Sequence, residues 1–237
     1  MLIVLPPSET KAPGGSPGPM AVSFSALDSV RASLLDDLAA LPLDEMVSLL
    51  KIPPSKRDEA EENRSLRAAP VMPAIVRYTG VLYDALSPAS LPPAALSRLA
   101  IGSALFGIVR ATDLIPRYRL SGSAKVPARD GSLPTMKARW GSLVTAALEQ
   151  EGFVVDLRSG TYAQLGRVPG AVTVRVESVQ GDGSRKVVSH FNKHYKGELA
   201  RALALGPSCS SVAEVVESAR DAGFSVEVSG TQLTLVV

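Results

Sequence analysis

The sequence predicts an α/β fold, a mixed α+β arrangement with one mixed sheet flanked by helices and a C-terminal β-hairpin. Three observations predict it. Short continuous apolar runs bounded by Pro or Gly alternate with stretches of helical period, which favours strands packed between helices. The last two runs alternate apolar and polar residues about Ser229-Gly230-Thr231, a hairpin that makes the sheet mixed and not purely parallel. The 237 residues are 46% apolar and 20% charged, the composition of a globular chain long enough to bury a sizeable core. No repeat or linker divides the chain, so residues 1–237 are read as one domain.

The elements follow in order. Leu2 to Leu5 (LIVL) is a buried strand stopped by Pro6 and Pro7. Thr10 to Pro19 is a Gly/Pro/Ser loop long enough to be mobile. Apolar residues at Val30, Leu34, Leu38 and Leu41 place a helix over about Leu27 to Leu41, and a second covers Leu43 to Leu50. Lys56 to Arg67 is a charged, solvent-facing helix. Ala100 to Phe106 and Gly107 to Arg110 are buried strand sequence. Ser132 to Glu151 is predicted as one long helix capped by Ser132, with Met136, Trp140, Val144 and Leu148 on its apolar face. Strands follow at Phe153 to Leu157, Ala171 to Val176 and Lys186 to Phe191, then helices at Asn192 to Leu205 and Ser211 to Ala222.

Composition also excludes function classes. No apolar run reaches the roughly 18 residues that cross a bilayer, and Met1 to Leu5 lacks the features of a secretory signal. Cys209 is the only cysteine. A disulfide framework, a Cys-rich zinc site, an iron–sulfur cluster and a two-thiol peroxidase cycle are thereby excluded within one chain. Reduced cytoplasm is the expected compartment, and no cofactor is expected. In GPSCSS, Cys209 is read as a buried or incidental position, against the alternative of an exposed, oxidisable thiol.

Twenty-five basic and 23 acidic residues nearly cancel, but they are segregated. Asp28 to Glu62 carries nine acidic residues against four basic. Arg110 to Arg139 carries seven basic against two acidic, and Arg185 to Arg201 five against one. The first stretch contains Tyr118 and is followed directly by Trp140, and the second contains Phe191 and Tyr195. Cations interleaved with rings suit a phosphate joined to a base, while two solvated faces with inward-packed rings is the competing reading. Because strand ends of open α/β sheets are where ligands dock, Arg110, Arg119 and Arg158 are expected to converge there with Lys193.

Individual motifs sharpen this. Ser8-Glu9-Thr10-Lys11 after a strand can offer an anion a lysine and backbone N–H groups, although G-x-x-x-x-G-K-[ST] is absent. After Pro116 an extended stretch puts Arg117 and Arg119 on one side and Tyr118 on the other; Asp113 caps a turn, pairs with an arginine or serves as a catalytic carboxylate. Trp140 is read as core. Tyr78, Tyr83 and Tyr162 lie near glycines, which permits exposed hydroxyls at a cleft. His190 and His194 are four apart without a third ligand, so no metal site is expected and His190 is a candidate polar group of a pocket. Lys193, Lys196 and Arg201 are phosphate contacts on the last basic helix. No G-x-S-x-G supports a serine hydrolase, and no E-x-x-H cluster supports an iron store.

Five blocks carry a resemblance over nearly the whole chain: LIVLPPSETK (Leu2 to Lys11), YTGVLYDAL (Tyr78 to Leu86), SALFGIVRATDLIPRYRLSG (Ser103 to Gly122), VVDLRSGTYA (Val154 to Ala163) and VVSHFNKHYKGELARAL (Val187 to Leu203). In this order they resemble the YaaA family of bacterial peroxide-stress proteins. The resemblance implies a cytosolic protein of the hydrogen peroxide response that limits damage from unincorporated iron and binds nucleic acid. Two functions are therefore carried forward. The first is a binder of nucleic acid, DNA, in a basic cleft. The second is an enzyme on a small phosphorylated or carboxylated substrate, such as a nucleotide, in the same cleft. An enclosed pocket of charged groups would favour the second, and a groove open at both ends the first.

Overall fold

The computed structural model describes residues 1–158, 160–188 and 191–237. β1 (Leu2–Leu5) is buried along its whole length. It runs between two parallel neighbours, so neither face meets water and an unbroken apolar run is what the position requires. α1 (Asp28–Ala40) and α2 (Leu43–Leu49) follow, then α3 (Arg57–Asn63). α3 is shorter than the predicted charged helix, and it buries Ala60 and Asn63 rather than facing solvent all round.

β2 (Val71–Pro73), α4 (Ala74–Arg77), α5 (Val81–Leu86) and α6 (Pro93–Leu96) lead into β3 (Leu99–Ser103), β4 (Gly107–Arg110) and β5 (Leu114–Pro116). β2 and β5 form a separate two-stranded ladder. The Gly/Pro loop is tied down instead of being free. Ser16 bridges Val71, and the fully buried Arg77 guanidinium donates to the carbonyls of Ala12, Gly14, Pro70 and Ile115.

The predicted long helix is two helices, α7 (Met136–Trp140) and α8 (Leu143–Glu149). Gly141 has φ +53°, a left-handed conformation that turns the chain between them. The cap is Thr135, whose Oγ1 accepts the Ala138 N–H at 3.1 Å; Ser132 lies outside the helix. Breaking the helix here lets Trp140 bury completely and donate its indole N–H to the Ala104 carbonyl at 2.9 Å.

β6 (Val154–Asp156), α9 (Gly160–Gln164), β7 (Val172–Val179) and β8 (Arg185–Val187) precede α10 (Asn192–Leu205), α11 (Val212–Asp221) and the hairpin β9 (Ser225–Ser229) and β10 (Gln232–Val236). The eight-stranded sheet has the order β4-β3-β1-β6-β7-β10-β9, with β8 paired to β7. β3, β1, β6, β7 and β10 are parallel, whereas β4, β8 and β9 join antiparallel. The fold is the expected α/β arrangement, mixed sheet and C-terminal hairpin included. Cys209 is buried, its Sγ 3.5 Å from the Ser218 hydroxyl.

α10 packs closely on α5, and Gly197 is the reason it can. A Cβ there would stand 2.3 Å from the Leu82 carbonyl oxygen. Gly197→Ala is expected to cost about 1–3 kcal/mol through overpacking against rigid backbone. Urea unfolding checks this; a stabilised variant, as helix propensity alone would give, contradicts it.

A candidate anion-binding site at the carboxyl ends of the strands

β1, β3 and β6 run parallel and deliver their carboxyl ends to one rim of the sheet. The loop after β1 carries Ser8 to Lys11, and Lys11 forms an antiparallel bridge with Tyr78. Its ammonium donates to the Ser8 carbonyl at 3.0 Å and stands 4.3 Å from the centre of the Tyr118 ring and 5.4 Å from that of Tyr78. No carboxylate among the described residues comes within ion-pair distance of it. Burial holds Lys11 down at about 7; Glu9 and Glu59 oppose this shift, and Arg119 and Arg117 add to it.

The floor beneath Lys11 is a buried chain of hydroxyls. Tyr118 shares hydrogen bonds of 2.7 Å with both Tyr78 and Ser103, and Ser103, at the end of β3, accepts the Phe106 N–H. Burial raises the Tyr78 phenol to about 12 and Tyr118 well above its usual value, so both stay neutral donors. Tyr83 is likewise buried and donates to the Pro6 carbonyl, so Tyr78 and Tyr83 do not present the exposed hydroxyls that neighbouring glycines permitted. Tyr162 is half-buried and accepts the Gly122 N–H at 3.2 Å.

Arg117, Tyr118 and Arg119 alternate as the extended stretch predicts. Asn63 at the end of α3 clamps the Arg119 backbone on both sides, donating to its carbonyl at 2.7 Å and accepting its N–H at 2.8 Å. The Arg119 guanidinium reaches Glu59 at 3.4 Å and Glu9 at 3.9 Å; Arg117 pairs with Glu62 at 2.9 Å and Glu59 at 3.1 Å. The acidic stretch thus lies against the basic one. Arg139 meets Asp37 at 2.7 Å and Arg129 meets Asp36 at 3.6 Å. Neither Glu59 nor Asn63 stood out in the sequence; the opposite net charges of their two segments were the signal.

Arg110 does not join the others. β4 is antiparallel to β3, and Arg110 pairs with Ala100 near the opposite end of the strand, where it binds Glu151 and covers the Phe24 ring. Asp113 caps locally, accepting from the Arg110 N–H and from the Ser23 N–H and hydroxyl. Arg158 is at the correct rim but wholly buried. Its Nε and one terminal nitrogen donate to Asp156 at 2.9 and 2.8 Å, and the same terminal nitrogen donates to the Gly166 carbonyl. A Cβ on Gly102 would stand 2.7 Å from the Arg158 Cδ, so the glycine makes room for this side chain.

Of the α10 cations, Lys196 is buried and donates to the Leu157 carbonyl at 3.0 Å, its amine lowered to about 8 by burial against the pull of Asp156. Arg201 donates to the Leu86 and Ser87 carbonyls and the Ser90 hydroxyl, tying α10 to the end of α5. Lys193 is exposed in the first turn and lines a hollow of about 230 Å³ with Ser8, Glu9, Thr10, Gly80 and Tyr83. His190 lies outside the described residues. His194 faces Glu198 at 3.2 Å. A larger groove of about 530 Å³, lined by Tyr195, Arg201, Leu205 and Phe224, lies apart from this rim. Among the described residues no group of three or more His, Cys, Asp or Glu could hold a metal ion, and no helix is long and apolar enough to cross a membrane.

The chain therefore brings Lys11, Glu9, Arg119, Glu59, Tyr118 and Tyr162 to one rim, with Lys193 beside the same loop. Known proteins are similar to this chain over nearly its whole length. A UPF0246 protein of Corynebacterium efficiens is 59% identical, with both chains covered in full. A UPF0246 protein of Streptomyces coelicolor is 39% identical over 96% of this chain and 92% of its own. Residues 1–229 match the family described as peroxide stress protein YaaA. The chain belongs to the YaaA family of peroxide stress proteins.

Proposed function

We propose that this chain serves the peroxide response in the cytoplasm by binding nucleic acid, DNA, at the carboxyl-terminal rim of its sheet. The observation that carries this reading is that Lys11 and Lys193, two lysines with no carboxylate partner among the described residues, flank the Ser8–Thr10 loop. Phe191, two residues before Lys193, is 65% exposed. Lysines can neutralise phosphate while an exposed ring stacks a base. Titration with single- and double-stranded DNA at 50 and 200 mM salt tests it. With two to three phosphate contacts, affinity is expected to fall about ten- to fortyfold across that range, and Lys193→Ala should reduce the salt slope by about one. Absence of binding to either DNA at low salt overturns it.

A second reading, an enzyme on a small phosphorylated or carboxylated substrate such as a nucleotide, is favoured by a different observation. Arg110, Arg117 and Arg119 are engaged by the chain's own carboxylates, and the hollow beside Lys193 has the volume of one nucleotide fragment, not of a duplex groove. Mass spectrometry of small molecules retained by the gently purified protein separates the two readings.

A further inference from the structure

We propose that Lys11 is a nucleophile that forms an imine with the aldehyde of a phosphorylated sugar, supplied either as a free sugar phosphate or as the opened deoxyribose of a baseless position in DNA. This rests on the anion-binding reading of the same rim and names the chemistry it would serve.

The placement of the amine carries the inference. A lysine used only as a charge is normally answered by a carboxylate. Here the ammonium has a carbonyl acceptor, the Ser8 oxygen, and two aromatic faces. The nearest carboxylates, Glu9 and Glu59, are drawn to Arg119. Withdrawal from water and neighbouring guanidinium groups are the two conditions that free a lysine lone pair near neutral pH; Lys11 is half-buried, with Arg119 and Arg117 close by and the amine held at about 7. The phenols that face it, Tyr78 and Tyr118, stay neutral. Lys193 lacks this enclosure, being exposed, and Lys196 is buried against the Leu157 carbonyl. The same rings that flank the ammonium would flank the cationic product.

The chemistry balances without an oxidant. The neutral Nζ attacks the carbonyl carbon, a C–N bond forms, and the C=O π pair moves to oxygen. A proton passes from nitrogen to that oxygen, giving a carbinolamine. Protonation of its hydroxyl and loss of water leave the protonated imine, and addition of water reverses the sequence. Glu9, its side chain 52% exposed beside the hollow, is placed to relay these protons. Lys193 and Arg119 offer charge to the phosphate.

Trapping with cyanoborohydride, which delivers hydride to the imine carbon and makes the link permanent, tests the inference. The full chain is incubated at pH 7 with ribose 5-phosphate in one arm and with an oligonucleotide containing a baseless site in the other, then digested and mapped by mass. The expected result is a single adduct on Lys11, at least tenfold above any other lysine in one arm or both, and its loss in Lys11→Met, whose melting temperature is no lower than the parent's. An adduct in the DNA arm alone assigns the aldehyde to damaged DNA, and one in the sugar arm alone to a free metabolite. No adduct in either arm, one spread evenly over surface lysines, or one that persists in Lys11→Met overturns the proposal. Reversible binding to intact DNA, measured without reductant, is a separate readout: its survival without an adduct removes the imine alone, and an adduct without DNA binding removes the nucleic-acid reading alone.

Discussion

Asp156→Ala is expected to lower folding stability by about 3–5 kcal/mol, the cost of leaving one member of a buried ion pair uncompensated. Both Asp156 carboxylate oxygens accept from Arg158, whose side chain has no exposure and whose other terminal nitrogen has no partner among the described residues. Without the carboxylate, the Gly166 carbonyl would be the one remaining acceptor for the guanidinium among the described residues. β6 lies between β1 and β7, so the disturbance falls in the middle of the sheet. Urea unfolding followed by the fluorescence of the buried Trp140 measures it. Asp156→Ala combined with Arg158→Met should recover much of the loss, because the charge left unpaired is then gone. A single-variant loss below about 1 kcal/mol contradicts this account.

Lys11→Met is expected to stabilise the fold at neutral pH. The folded amine is held down at about 7, and the unfolded one has the ordinary lysine value of 10.5. Between those values the unfolded chain binds more protons, so the stability of the parent rises with pH across this window. The cost of the charged lysine is fully present below about 7 and is gone above 10.5. When wholly dry it would amount to about 5 kcal/mol, and the partial exposure of Lys11 reduces it to about 1–2 kcal/mol. The methionine variant should therefore melt higher than the parent at pH 6 to 7, with the difference closing toward pH 10.5. A difference that grows with pH has the wrong sign for this explanation.

Much of the fold is written in local pattern. LIVL stopped by two prolines can only be a short run buried on both faces, and Asn192 to Leu205 and the terminal hairpin declare themselves by period and turn chemistry. The break in the predicted long helix was not legible, because Gly141 in a helical pattern costs only about 1 kcal/mol. What decides the break is the pocket that Trp140 fills under Ala104, a partner distant in sequence. The site was half legible for the same reason. The alternation of Arg117, Tyr118 and Arg119 follows from backbone geometry, so it could be read. The location of Arg110 could not, since reversing one strand sends its end to the far rim. Nor could the pairing of Arg117 and Arg119 with Glu59, because a surplus of charge along a segment does not say whether water or another segment of the same chain answers it.

The state of Cys209 has a consequence for a protein of the peroxide response. Hydrogen peroxide oxidises cysteine through its thiolate and methionine through its thioether, both most readily when exposed, and the Cys209 sulfur sits out of water against the Ser218 hydroxyl. Met46 and Met136 are equally withdrawn. These three sulfur atoms are placed to endure the oxidant, not to register it.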